Sequence, residues 1–152
     1  MSEHLLEVKD LKKYFPVKGG FFSKTVASVH AVDGVSFFLK KGETIGLVGE
    51  SGCGKSTTGR LVLCLIEPTE GTIYFGGQDI SKLDRKQMKA LRRDMQLIFQ
   101  DPYASLNPRM TVGAIVSEAL KIHGTAQGSE IEDRTAELLK RVGLHSEHLR
   151  RY

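Results

Sequence analysis

The sequence predicts an α/β fold, on three observations. Short runs rich in β-branched and aromatic residues alternate with unbroken helical stretches. One run, "TIGLV" at 44–48, is continuously apolar, the texture of a strand buried on both faces of a parallel sheet. Directly after it stands "GESGCGKST" at 49–57, a glycine-rich turn that feeds a helix. The chain has 152 residues, enough for one core when a domain takes roughly 100–200 residues.

The elements follow in order. "LLEVKDL" (5–11) and "VHAVDGVSFFL" (29–39) read as antiparallel strands around a Gly/Ser/Lys loop, "VKGGFFSKTVAS". Past the glycine turn, "KSTTGRLVLCLI" has no breaker between Lys55 and Ile66 and stops before Pro68, which predicts a helix covering the sheet. "GTIYFGGQDI" returns to strand with a tight turn at Gly76-Gly77. Asp84 to Arg93 reads as a helix, and "MQLIF" (95–99) as a further strand. "DPYASLNPRM" holds two of the four prolines and reads as a loop. From Thr111 to His123, Val112, Ile115, Val116, Ala119 and Leu120 recur at helical spacing until Gly124 stops them. A last helix opens with the capping box Ser129-x-x-Glu132 and closes at Gly143.

Composition bounds the function classes. With 40% apolar and 26% charged residues, the balance is that of a soluble globular chain. The net charge of +4 is a mild excess that suits acidic ligands or lipid headgroups without demanding either. The basic run "KLDRKQMKALRR" (82–93) has helical spacing and no interleaved aromatics, so it reads as a solvated helix face, with no nucleic acid as partner. No apolar run approaches the roughly 18 residues of a spanning helix, and acidic residues stand where a signal peptide has none; a cytosolic chain is expected. Cys53 and Cys64, one of them inside the glycine turn, suit a reducing compartment better than a disulfide. His145 and His148 lack a third ligand nearby and read as a surface pair rather than a metal site.

Gly49-x-x-x-x-Gly54-Lys55-Ser56 matches the phosphate-loop pattern in the context it needs, a strand before and a helix after. Glycines let the backbone curl until successive N–H groups face inward, and the helix start adds roughly half a positive charge. The candidate phosphate-binding set is Gly49, Ser51, Gly52, Cys53, Gly54, Lys55, Ser56 and Thr57. Lys55 is placed to reach the β- and γ-phosphates, Thr57 the α-phosphate, and the Ser56 hydroxyl a Mg²⁺ position. Such loops serve many activities; the absence of N-K-x-D disfavours a GTPase.

Together, "GESGCGKST" and "LIFQDPYASLNPRMTVG" resemble the ATP-binding subunit of an ABC transporter, in its oligopeptide/dipeptide importer branch, and "VHAVDGVSFFLKKGETIGLVGESGCGKSTTGRL" and "PTEGTIYFGG" extend the resemblance over essentially the whole chain. It implies a phosphate-loop NTPase core with an antiparallel β subdomain and the start of a helical one, divided as 1–43, 44–100 and 101–152. By position it makes Gln100 the glutamine that touches Mg²⁺ and the attacking water. It puts an aromatic, Phe15 or Tyr14, against adenine, and makes residues 101 to about 122 the surface that meets a permease. The implied cofactors are ATP and Mg²⁺. The implied partners are a second ATPase subunit, transmembrane permease subunits and, indirectly, an extracytoplasmic peptide-binding protein, with the subunit peripheral on the cytoplasmic face of the membrane.

The sequence departs from that pattern at its far end. The family's "SGGQ" signature, its apolar strand ending in Asp-Glu and its switch histidine are absent from these 152 residues, which finish at "RVGLHSEHLRRY". The expectation is therefore an N-terminal, truncated portion that binds ATP without turning it over, since it has no carboxylate to orient water. The competing expectation is a natural, non-catalytic nucleotide-binding module.

Overall fold

The computed structural model describes residues 3–19, 24–101, 103 and 105–152. They form two compact units, Met1–Met95 and Gln96–Tyr152, each taken by itself below.

The first unit is built on a long hairpin. Strand β1 (His4–Gly19) pairs antiparallel with β2 (Lys24–Lys40). Helix α1 (Lys55–Val62) follows, then β3 (Glu70–Phe75), the two-residue β4 (Gln78–Asp79) and helix α2 (Arg85–Leu91). The four strands make one antiparallel sheet in the order β2-β1-β3-β4. Leu6 and Val8 face the core by simple alternation. Asp10 then takes a positive φ of 45° in a register shift between Val8 and Leu11. The extra residue lets Leu11, three positions on, face the same way, because a bulge resets the strand's parity. Leu6, Val8, Leu11, Val32, Leu61, Ile73 and Ile80 form the buried cluster, so one face of the sheet packs on α1.

Three expectations for this unit need correction. The hairpin strands run far beyond 5–11 and 29–39: most of the expected "VKGGFFSKTVAS" loop is ladder, with Phe15 opposite Val29 and Val17 opposite Ala27, while residues 20–23 lie outside the described residues. Residues 44–48 form no strand. Ile45, Leu47 and Val48 are 51%, 52% and 93% exposed, and no described strand pairs with them. A strand of a parallel sheet takes all its hydrogen bonds from segments remote in sequence, so an apolar run without such a neighbour stays irregular however suitable its side chains. Helix α1 ends at Val62 rather than Ile66, and Cys64 sits at φ 49° immediately after it. The turn at Gly76-Gly77 and the helix after Asp84 are as expected. Asp84 caps α2 in a reciprocal box with Gln87, a pairing the helical spacing had not flagged.

The second unit opens with residues 96–101 in irregular backbone, so the expected strand at 95–99 is also absent, for the same lack of a ladder partner. The proline-rich stretch turns twice, through Tyr103 N–H to Asp101 Oδ1 and Arg109 N–H to Asn107 Oδ1; Pro102 and Ala104 lie outside the described residues. Helix α3 (Val112–His123) is capped by Thr111, whose hydroxyl accepts from Ala114 N–H at 3.2 Å, and by Gly124 in the left-handed region. Helix α4 (Glu130–Arg141) packs against α3, and both meet a 3₁₀ turn at Ser146–Arg150. Two details differ from expectation. Ser117 rather than Ala119 is the buried side chain of α3. Ser129 has helical backbone angles and makes no side-chain cap, because a cap needs extended backbone to aim its oxygen at the first turn.

Candidate functional site

The glycine turn wraps the N-terminus of α1. Gly54 precedes the helix with φ 94° and ψ 1°, a conformation L side chains rarely adopt, and contributes no side chain to cap it. A Cβ there would also collide with the carbonyl oxygen of Ala31 on β2. The first helical bond is Thr58 N–H to Gly54 C=O at 2.8 Å, and Thr58 Oγ1 donates to the same carbonyl at 3.0 Å. Among the described residues no acceptor meets the N–H groups of Lys55, Ser56 and Thr57. The first turn also holds no acidic side chain, so nothing neutralises the positive end of the helix. This is an anion cradle.

Lys55 completes it. Its ammonium donates to the carbonyls of Gly49, at 2.8 Å, and Glu50, and stands 3.6 Å from Cys53 Sγ. The cation therefore hangs over the turn on backbone partners that an anion can displace. Ser51, Gly52, Cys53 and Ser56 are exposed around it. Ser56, in the first turn, keeps its hydroxyl without a protein partner among the described residues.

The two candidate aromatics differ in their freedom. Tyr14 stacks on His30, with ring centroids 3.9 Å apart, and its hydroxyl donates to Asp33 Oδ1. That bond holds the Asp33 carboxyl below its ordinary range and pushes the Tyr14 phenol above its own. Phe15 is 41% exposed, and Lys13 Nζ lies 5.1 Å from its ring centroid. Gln100 belongs to the second unit, where it is exposed at a bend.

Four residues that touch these groups escaped the motif. Ala31 meets the turn only through the fold, so no local signal marks it. Asp33 and His30 reach Tyr14 by strand register. Lys13 was legible in principle, since residues two apart on a strand share a face.

Comparison with known proteins places the chain. A family profile described as "ABC transporter" matches residues 32–152, and the chain belongs to that family. It is 53% identical over 152 residues to the oligopeptide transport ATP-binding protein AppF of Bacillus subtilis, covering 99% of this chain and 46% of that protein. It is 53% identical over 151 residues to the glutathione import ATP-binding protein GsiA of Pectobacterium atrosepticum, covering 99% of this chain and 24% of that one. The chain thus spans less than half the length of these relatives. Among solved structures it is similar to MJ0796, an ATP-binding cassette captured as a dimer bound to ADP and Pi, with TM-score 0.76 and 29% identity over 96% of this chain and 60% of that one. It is also similar to cbiO1 of Clostridium perfringens, part of the transporter complex cbiONQ, with TM-score 0.65 and 28% identity over 99% of this chain and 54% of that one. The expected fold class, an ABC-type ATPase cassette, therefore stands, although the described residues form only its antiparallel sheet and helices. No helix among the described residues is long and apolar enough to cross a membrane.

Proposed function

We propose that this chain is the nucleotide-binding part of a peptide-importer ATPase subunit. The intact protein binds Mg·ATP, pairs with a second ATPase subunit, and couples ATP binding and hydrolysis to transport through membrane permease subunits. It does so from the cytoplasmic face, with cargo delivered by a separate extracytoplasmic peptide-binding protein. Peptide cargo is supported by the names of the relatives AppF and GsiA. In this reading residues 1–43 are the antiparallel subdomain, 44–100 the core and 101–152 the start of the helical subdomain.

The observation that carries the reading is the cradle: three N–H groups at the start of α1 with no acceptor among the described residues, beneath an ammonium held by two carbonyls and the Cys53 thiol rather than by a carboxylate. Amides of Gly49 and of residues 51–57 surround the triphosphate, and Lys55 moves from the Gly49 and Glu50 carbonyls to the β- and γ-phosphates. Ser56 and Gln100 would hold Mg²⁺, which neutralises charge between the terminal phosphates. Phe15, rather than Tyr14, stacks on adenine, because the Tyr14 ring and hydroxyl already have partners. Gln100 orients the attacking water in the intact protein. This chain alone binds ATP without hydrolysing it, since these residues hold no apolar strand ending in Asp-Glu.

Calorimetry of ATP binding to the chain and to Lys55→Ala tests the reading. Charge-assisted bonds of about 1.5–3 kcal/mol each are lost, so affinity falls about tenfold or more. Equal affinity in the two proteins would remove the site. Phosphate release, assayed beside a version lengthened through the expected signature, appears only in the longer protein.

A further inference from the structure

Lys13 sits where the base platform meets the exit of the phosphate-loop helix. The chain leaving α1 is tied to β1 by three hydrogen bonds: Thr69 N–H to Lys12 C=O at 2.8 Å, Tyr14 N–H to Thr69 Oγ1 at 3.0 Å, and Lys13 Nζ to Glu67 C=O at 2.7 Å. The last is made by a side chain whose ammonium also lies 5.1 Å from the centroid of the Phe15 ring. Lys13 is partly buried and makes no ion pair among the described residues; its charge is committed to one carbonyl and one aromatic ring. Its neighbour Lys12 is instead engaged by Glu70, at 2.9 Å, and Asp10, at 3.5 Å, so the two adjacent lysines do different work.

We propose that Lys13 is a positioning residue for nucleotide binding: anchored on the Glu67 carbonyl, its ammonium fixes the Phe15 ring and draws ring electron density toward itself, making the ring a better platform for a purine. The inference rests on the assignment of Phe15 as the base platform. A cation near an aromatic ring is attracted to its negative face. Density drawn to that side lowers the repulsion felt by a second π system stacked on the other side. The anchor matters as much as the charge. A free lysine would lose rotamer entropy on ordering when nucleotide arrives, whereas this one is already held.

The test uses the full 152-residue chain and two probes, ATP and inorganic tripolyphosphate, which has the phosphate tail without the base. Lys13→Met keeps the stem and removes the cation; Lys13→Arg keeps a cation. The expected result is a loss of about two- to fivefold in ATP affinity for Lys13→Met, recovery in Lys13→Arg, unchanged tripolyphosphate affinity, and no further loss when Lys13→Met is added to Phe15→Ala. Parallel loss of tripolyphosphate binding would overturn the proposal, because Lys13 would then act on the cradle or on folding. ATP affinity unaltered in Lys13→Met but weakened in Phe15→Ala would overturn it too, while leaving the platform in place. If Phe15→Ala itself binds ATP normally, the platform assignment fails, and this inference with it.

Discussion

Gly54 lies so close to Ala31 that a methyl group on its Cα would collide with the Ala31 carbonyl oxygen. The contact brings the start of α1 against the edge strand β2. Gly54→Ala therefore meets both a steric barrier and a left-handed backbone. It is expected to destabilise the first unit by about 2–4 kcal/mol. Gly52→Ala is the control: its φ is 83° but nothing stands within 4 Å of the added carbon, so only the backbone strain of about 1–2 kcal/mol applies. Urea denaturation distinguishes them; equal midpoints would mean that the Ala31 contact is irrelevant.

Thr111 and Ser129 stand at equivalent places before α3 and α4, yet only the threonine caps its helix. Thr111→Ala is expected to cost about 1 kcal/mol. Ser129→Ala should fall within about 0.5 kcal/mol of neutral. Amide exchange at residues 115–120, compared with 133–138, reads the two helices separately. A larger loss of protection in α4 than in α3 would contradict the assignment.

The Tyr14–Asp33 bond carries a pH signature. The Asp33 carboxyl is held low chiefly by the Tyr14 hydroxyl, with burial opposing and His30 assisting. A depressed carboxyl contributes stability above its unfolded value, near pH 4, and loses that contribution as pH falls through the folded value. In Tyr14→Phe the Asp33 midpoint should rise toward the ordinary range, and the stability gap between the two proteins should close as pH drops below about 4. Carboxyl-carbon NMR titration of Asp33 measures the midpoint, and an unmoved value rejects the coupling.

Cys53 and Cys64 differ in access. Cys53 is exposed in the cradle, whereas Cys64 is half-buried, shares its thiol with the Ile80 carbonyl, and has its pKa raised by burial. Iodoacetamide at neutral pH should modify Cys53 about tenfold faster or more, with the gap narrowing as pH rises. ATP should slow the reaction at Cys53 and leave Cys64 unaffected. Peptide mass mapping gives both rates. Protection of Cys64 instead would place the nucleotide elsewhere.

The cradle was legible from residues alone because every feature of it is local: consecutive amides, a glycine where φ must be positive, a lysine one residue inside the helix. The same holds for the turn at Gly76-Gly77 and for the stop at Gly124, each set by interactions within four residues. The hairpin's true length was not legible, since "VKGGFFSKTVAS" has loop composition and becomes strand through pairing across the ladder.

What the sequence determined by itself was the glycine turn that starts α1, the strand character of residues 5–11 and 29–39 and the helical order of the C-terminal third. Tertiary structure alone decided that Leu11 stays in the core across a bulge, that Ala31 roofs Gly54, that Tyr14 is taken up by His30 and Asp33, and that 44–48 and 95–99 form no strands. The division has a physical cause. Turns, caps and amphipathic stripes draw their partners from neighbours along the chain, whereas β-ladders and ring contacts draw theirs from residues that only folding brings near.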